Sequence, residues 1–470
     1  MSRLLVIPLF LVLLLLSCEK NNIYIEPPLW FSEDTIHFDT VFTTIGSTSR
    51  ELRVKNPGKD KLTIDEIFLS GGENSPFRLN IDGAPVCRLD EITLNPGDSI
   101  FIFVDVNIDP TSDNNPVAVM DSIIFRVSGL IMQVQLLAWG QDIYLLNNTL
   151  IETETWNGPK PYLIYGDVIV DTSETLTIQK GVKVYFHKDA SLTVAGNLKV
   201  NGVFGTPVLF ASDRLEEDYL DVPGQWRGIY FLKTSISNEI NFAVIRNSIF
   251  GITVGEPASG GTATGLKLFN TDISHSAISA LSAVNSAIEA ANCIFSHCGR
   301  HCIYLASGGN YSFTHCTLSN LWDYGFRLTA ALSVTERSIG PAGSTGKLSL
   351  DLNNSVVYGD LKSEVDIIPL SNSITGDYLF DHCLLKLDTV NSVFWTKQWF
   401  PETLINIDPG FIDPLIYDFR PDTLSPLING GSDVYKAIFP LDIRNISRIS
   451  DSKADIGAYE RVQGEKRKTR

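Results

Sequence analysis

The sequence predicts an all-β chain in two parts, a sandwich of short strands followed by a solenoid of stacked coils. Three observations carry this. From Trp30 to about Ile143, apolar residues alternate with polar ones in short runs separated by turn signals. From about Leu163 onward, short apolar runs are punctuated by Gly181, Gly196, Gly202 and Gly205, and no helical period is visible. Six positions then carry one two-residue signature: Asn247-Ser248, Asn270-Thr271, Asn292-Cys293, His315-Cys316, Asn354-Ser355 and His382-Cys383. The first four lie 23, 22 and 23 residues apart. A fixed period of this size marks a unit that cannot bury its own apolar face and must stack on its neighbours.

The chain opens with Arg3 and an apolar run from Leu4 to Leu16. That run is too short to span a bilayer as a helix and has the layout of a secretory signal. Leu15-Leu16-Ser17-Cys18 resembles the lipobox of bacterial lipoproteins. The resemblance implies removal of residues 1–17, diacylation of Cys18 and a membrane partner held through lipid. Glu19 differs from the aspartate that favours inner-membrane retention, which points to the outer membrane, on its periplasmic or cell-surface face. Residues 18–29 form the lipidated cysteine and a linker, in which paired prolines and polar residues leave nothing to pack.

Residues 30–143 are expected to form a β-sandwich. Leu52, Val54, Leu62, Ile64, Ile67 and Leu69 alternate in short runs, and Asn56-Pro57-Gly58, Gly71-Gly72 and Asn95-Pro96-Gly97 break them. The order VKNPGKDKLTIDEIFLSGG, LNPGDSIFIFVDVNIDP, DSIIFRVSG and VQLLAWGQD resembles Ig-like modules of the ASPM, SPD-2 and Hydin type. Such modules act mostly as spacers or interaction units.

Residues 163–460 are expected to wind into coils about 4.8 Å apart. Their glycine-punctuated strands and the stretch GQWRGIYF from Gly224 to Phe231 resemble a right-handed parallel β-helix of the pectate-lyase-like kind. The segments DPGFIDP, SPLINGGSD and DIGAYE, ending at Glu460, resemble the last coil of many bacterial β-helix proteins. A final coil leaves an open edge and core, so these residues are expected to close it, with Asp442, Arg448 and Asp455 satisfying one another or turn amides. Residues 461–470 end the chain as a basic tail.

Composition narrows the partners. The net charge is −17, and −18 once residues 1–17 are removed. Nucleic acid and anionic membrane surfaces are repelled by such a chain unless a basic patch intervenes. The one basic cluster is Lys466 to Arg470.

Cys293, His297, Cys298, His301, Cys302, His315 and Cys316 fall within 24 residues, a density that can indicate zinc. The coil register argues otherwise. Cys293 and Cys316 would share a turn column with Ser248, Thr271, Ser355 and Cys383, and His315 and His382 would stand among ladder-forming asparagines. Cys298 and Cys302 remain open between buried thiols and a disulfide. No metal or cofactor is expected.

Projecting the period forward aligns Arg300 with Asp323, His301 with Tyr324 and Tyr304 with Arg327. Alternation then points Phe326 and Leu328 inward and Tyr304 and Arg327 outward, beside Trp322 and Asp323. Aromatic faces beside charged groups suit a sugar ring, so Tyr304, Trp322, Tyr324 and Arg327 are the expected ligand-binding residues. Arg300, His301, Asp323 and Arg327 are the catalytic candidates if the chain is an enzyme. The acid-rich loop Glu216, Glu217, Asp218 and Asp221 reads as a solvated turn. The expected function is non-catalytic binding of an extended carbohydrate by a lipid-anchored envelope protein. A polysaccharide lyase or glycoside hydrolase, and a structural or adhesive surface protein, are the alternatives.

Overall fold

The computed structural model describes residues 28–256, 264–337, 347–370, 374–389, 397–450 and 452–465. The leader, Cys18 and the Lys466 to Arg470 tail lie outside the described residues. Among the described residues no helix is long and apolar enough to cross a membrane. The chain is all-β and divides into two compact units. One holds residues up to Asp109 with Val117–Gly140, and the other holds Pro110–Pro116 with everything from Gln141 on.

In the first unit, strands Trp30–Phe31, Arg50–Lys55, Phe77–Ile81 and Ser99–Val106 form an antiparallel sheet. Thr35–Phe42, Leu62–Leu69, Arg88–Leu94, Val117–Val127 and Leu130–Gln141 form a second sheet. The period-two pattern works as written: along Ser99–Val106 every second residue is buried. Leu52, Val54, Ile102 and Val104 of one sheet share a core with Ile64, Ile67, Phe125 and Val134 of the other.

In the second unit, long parallel ladders repeat coil after coil on three faces. The first face is an 11-stranded sheet running from Tyr144–Asn147 to Leu404–Ile405. The second and third faces belong to a 16-stranded sheet. Strands Ser279–Ala291 and His301–Thr314 each pass from one of these faces to the other and so join them. The parallel stack begins earlier than residue 163, because Tyr144–Asn147 already pairs with Tyr162–Tyr165.

Inside, Val184, Phe210, Ile245, Ile273, Phe295, Leu318, Val357 and Leu385 stack in one continuous register column. All are fully buried. Each such side chain contributes roughly 1.5–3 kcal/mol on burial, which is why a residue type can change down a column while its apolar character cannot.

The turn from the third face back to the first is a single left-handed residue: Phe242, Asn270, Asn292, His315, Asn354 or His382, with φ between 45° and 53°. Asparagine tolerates this backbone better than most side chains and can bond its neighbours. The Asn270 amide donates to Asn241 Oδ1 at 2.9 Å, and Asn292 donates to Asn270 Oδ1 at 3.1 Å. Asn354 donates to His315 Nε2 at 3.3 Å.

The first signature pair, Asn247-Ser248, belongs elsewhere. Arg246 pairs with Ser274 and Ser276 with Cys298, which places Asn247-Ser248 with His275-Ser276 and His297-Cys298 at the turn between the first and second faces. Ser248 Oγ lies 3.1 Å from Ser276 Oγ. Ser248 therefore leaves the column of Thr271, Cys293, Cys316, Ser355 and Cys383. Both turns demand a left-handed residue, so an equal sequence interval can join two different corners.

The C-terminal segment, expected to close the last coil, is laid along the outside of the first face. Leu427 and Ile456 pack on Val356 and Leu384, and Phe419 and Ala458 pack on Ile294. Gly457 N–H donates to Asn354 O at 2.7 Å, and Ala458 N–H to Thr317 Oγ1 at 3.0 Å. The physical reason is the outward column Ile294, Thr317, Val356 and Leu384, which would otherwise face water. Within the segment, Asp442 accepts from the amides of Arg444, Ile446 and Glu460, and Asp455 accepts from those of Asn429 and Arg461. Arg448, fully buried, donates to Glu460 Oε2 at 2.9 Å and to Asn292 Oδ1 at 3.2 Å.

Candidate functional site

Strand His301–Thr314 sets Tyr304 beside Ser282 on one neighbour and Ser333 on the other. Arg327 is not its partner. Between strands Thr317–Asn320 and Leu332–Thr335 the chain leaves the ladder as a loop over residues 321–331, and this excursion breaks the projected register. The inside–outside assignment there is also reversed: Arg327 is 7% exposed, whereas Phe326 and Leu328 are 102% and 90% exposed. Alternation holds only on a strand, and residues 326–328 are not on one.

Arg327 has a structural partner that its sequence neighbourhood does not reveal. Its guanidinium donates to both carboxylate oxygens of the fully buried Glu364, at 2.8 and 2.5 Å, and to the carbonyls of Thr329 and Asn320. Glu364 also accepts the amides of Ala331 and Leu361. The loop over 321–331 is thereby pinned at its base while its tip stands in solvent.

His301 is tied in a similar way. Its Nδ1 donates to Ala330 O at 2.8 Å, and the ring stacks on Tyr304 with centroids 5.3 Å apart. Burial lowers its pKa and keeps the imidazole neutral. Arg300 is exposed at the neighbouring turn.

Trp322, Asp323 and Tyr324 do come together in the loop. The Trp322 and Tyr324 rings lie 5.5 Å apart; Tyr324 is 49% exposed and Trp322 half-buried. Trp322 lies against Gly299, where an added Cβ would meet Trp322 Cζ2 at 3.2 Å and Ala277 O at 2.1 Å. The glycine leaves room there for the carbonyl of Ala277 and the edge of the indole.

The structure adds residues that the period did not reach. His275 and His297 stack 5.3 Å apart, because their strands are in register on the first face. Tyr417, from the C-terminal segment, stands edge-on to both at 4.8 and 4.6 Å, and its hydroxyl donates to Asp221 Oδ2 at 3.1 Å. Asn247 holds the acidic loop in place by donating to the carbonyls of Leu220 and Val222. Burial raises the pKa of Tyr417, and Asp221 and Asp323 add to the rise. Burial likewise raises that of Tyr324, with Asp323 and then Asp221 contributing. Burial, with His275 adding to it, drives His297 down to about 3, so this imidazole is neutral at ordinary pH. Asp221, Asp323, Tyr324 and Tyr417 thus share one electrostatic neighbourhood beside Trp322. The acid-rich loop, read from sequence as a solvated turn, supplies Asp221 to this neighbourhood.

The cysteines pack inward. Cys293, Cys298, Cys302 and Cys316 are fully buried and unbridged, and Cys298 Sγ donates to Ser296 O at 3.3 Å. Burial raises the Cys293 and Cys302 thiols well above their usual range, which makes them poor thiolate ligands or nucleophiles. Among the described residues no three His, Cys, Asp or Glu side chains converge as a metal set.

No protein-family model matches this chain, and no curated protein matches it. Among solved structures, the PapD-like domain 7 of human CEP192 is similar at TM-score 0.17 and 13% identity, over 25% of this chain and 89% of that one. The YadV chaperone is similar at TM-score 0.18 and 10% identity, over 25% and 52%. A family 123 glycoside hydrolase from Clostridium perfringens is similar at TM-score 0.19 and 11% identity, over 26% of each chain. Likenesses of this size assign neither a fold nor an activity to this chain.

Proposed function

We propose that this chain is a lipid-anchored protein of the bacterial outer membrane in which an Ig-like module accompanies a right-handed parallel β-helix that binds an extended carbohydrate without cleaving it. The carrying observation is the paired rings of Trp322 and Tyr324 on a loop whose Asp323 and Tyr324 share an electrostatic neighbourhood with Asp221 and Tyr417 at one edge of the coil stack. Aromatic faces supply stacking area, and carboxylates beside them accept hydrogen bonds from hydroxyls. A pinned loop offers this surface at little ordering cost. The lipobox at Cys18 and the net charge of −17 support an envelope setting in which hydroxyl-rich polymers, not nucleic acids, are the partners.

A non-catalytic role is supported by how the candidate groups are used. Arg327 spends both sides of its guanidinium on Glu364 and backbone carbonyls, and His301 Nδ1 is committed to Ala330 O. Arg327 is thereby not left to hold a uronate carboxylate.

Affinity electrophoresis through gels containing soluble polysaccharides tests the reading. Wild type is expected to be retarded by at least one polymer with no shortening of the polymer, and Trp322→Ala is expected to migrate freely. Release of reducing ends or unsaturated products that disappears in Asp323→Ala would replace binding with catalysis. Migration unaffected by every polymer would contradict both.

A further inference from the structure

We infer that the third face carries a second, separate binding groove for an uncharged, hydroxyl-rich linear polymer. On this face Lys199, Glu239, Lys267 and Glu289 occupy one outward column in consecutive register. They line a groove of about 680 Å³, whose polar wall continues through Asn310 and Ser312. The groove lies on a different face from the Trp322 edge, which is built on the turns between the first two faces.

The column is not closed on itself. Lys267 Nζ lies 3.6 Å from Glu289 Oε2, longer than a charge-assisted hydrogen bond, and both side chains remain about half exposed, at 60% and 48%. Lys199 and Glu239 form no ion pair within 4 Å among the described residues. Donors and acceptors therefore recur along the groove at the coil spacing of about 4.8 Å, with bonding capacity left over.

Charge selects the ligand class. Two ammonium groups and two carboxylates cancel, so the groove does not draw in a polyanion or a polycation, and the chain's overall negative charge opposes a polyanion further. A protein partner needs buried aromatic or aliphatic anchors. The exposed large apolar side chain in the lining is Ile236, at 52%. A chain of uncharged sugars, offering a hydroxyl to each successive carboxylate and an oxygen to each ammonium, meets these conditions.

Isothermal titration of wild type with hexasaccharides of glucose, xylose and mannose, and with oligogalacturonate as the charged control, tests this. Wild type is expected to show two classes of site for an uncharged hexasaccharide. Lys267→Ala combined with Glu289→Ala is expected to weaken one class about tenfold or more, roughly one decade of Kd, and to leave the other. Trp322→Ala should remove the class that the double variant keeps. Because Lys267 and Glu289 stand on an exposed strand face, matching thermal midpoints will verify the fold. Titration of the double variant identical to wild type overturns the groove, as does a single class abolished by Trp322→Ala or tighter binding of oligogalacturonate. A single class lost in the double variant and intact in Trp322→Ala keeps the groove and overturns the Trp322 edge. Absence of any uncharged-sugar binding overturns both.

Discussion

Arg327 shows how far a residue can depart from its local pattern. Its sequence neighbours, Phe326 and Leu328, look like the buried partners of an outward arginine, yet a buried carboxylate from residue 364 turns the arrangement inside out. No local signal reports Glu364, because the two residues meet only after the chain has made another coil. Removing one member of a buried pair leaves the other charged, desolvated and unpartnered, which costs about 3–5 kcal/mol. Arg327→Ala is therefore expected to lower stability in chemical denaturation by that amount. Arg327→Lys should recover only part of it, since an ammonium cannot make the two-pronged contact. Equal stability of Arg327→Ala and wild type would show that the clamp does not hold the loop. Tyr417 and Asp221 were illegible for the same reason: 196 positions separate them, and only packing of the C-terminal segment brings them into contact.

The coil itself was far more legible. A one-residue corner needs a left-handed backbone and rewards an amide, so Asn270, Asn292, His315, Asn354 and His382 report the same turn. What the period could not reveal is which corner a given pair occupies, as Asn247 shows, or where a loop interrupts the count, as residues 321–331 show. The first face carries a pH signature of its own. Asp272 sits beneath the C-terminal segment with Oδ1 unpartnered among the described residues. Burial pushes its pKa from 3.8 up to about 7, and the nearby Arg246 only partly opposes this. The folded state thus holds a proton that the unfolded state releases. The stabilisation this confers is complete below about pH 4 and is lost as pH rises through about 7. Asp272→Asn is expected to remove that slope. Its thermal midpoint relative to wild type should climb between pH 5 and pH 8 by on the order of several °C, and parallel pH profiles for the two proteins would refute the assignment.

At the scale of the whole second unit, coils touch only their neighbours, so a long-range tie has a large effect on cooperativity. The C-terminal segment is such a tie. It reaches Asp221 through Tyr417, Asn292 through Arg448 and Asp381 through Tyr435, spanning coils distant along the stack. It also sets Tyr417 beside His275 and His297, so the segment read from sequence as an end closure helps build the proposed sugar edge. The most direct measurement of that edge is hydroxyl-radical footprinting of the intact protein with and without the oligosaccharide that binds it best. Protection of Trp322, Tyr324 and Tyr417 is predicted, while Tyr144, at 46% exposure on the first strand of the stack, stays equally reactive. Saturating ligand that leaves Trp322 and Tyr324 as reactive as before would contradict the account.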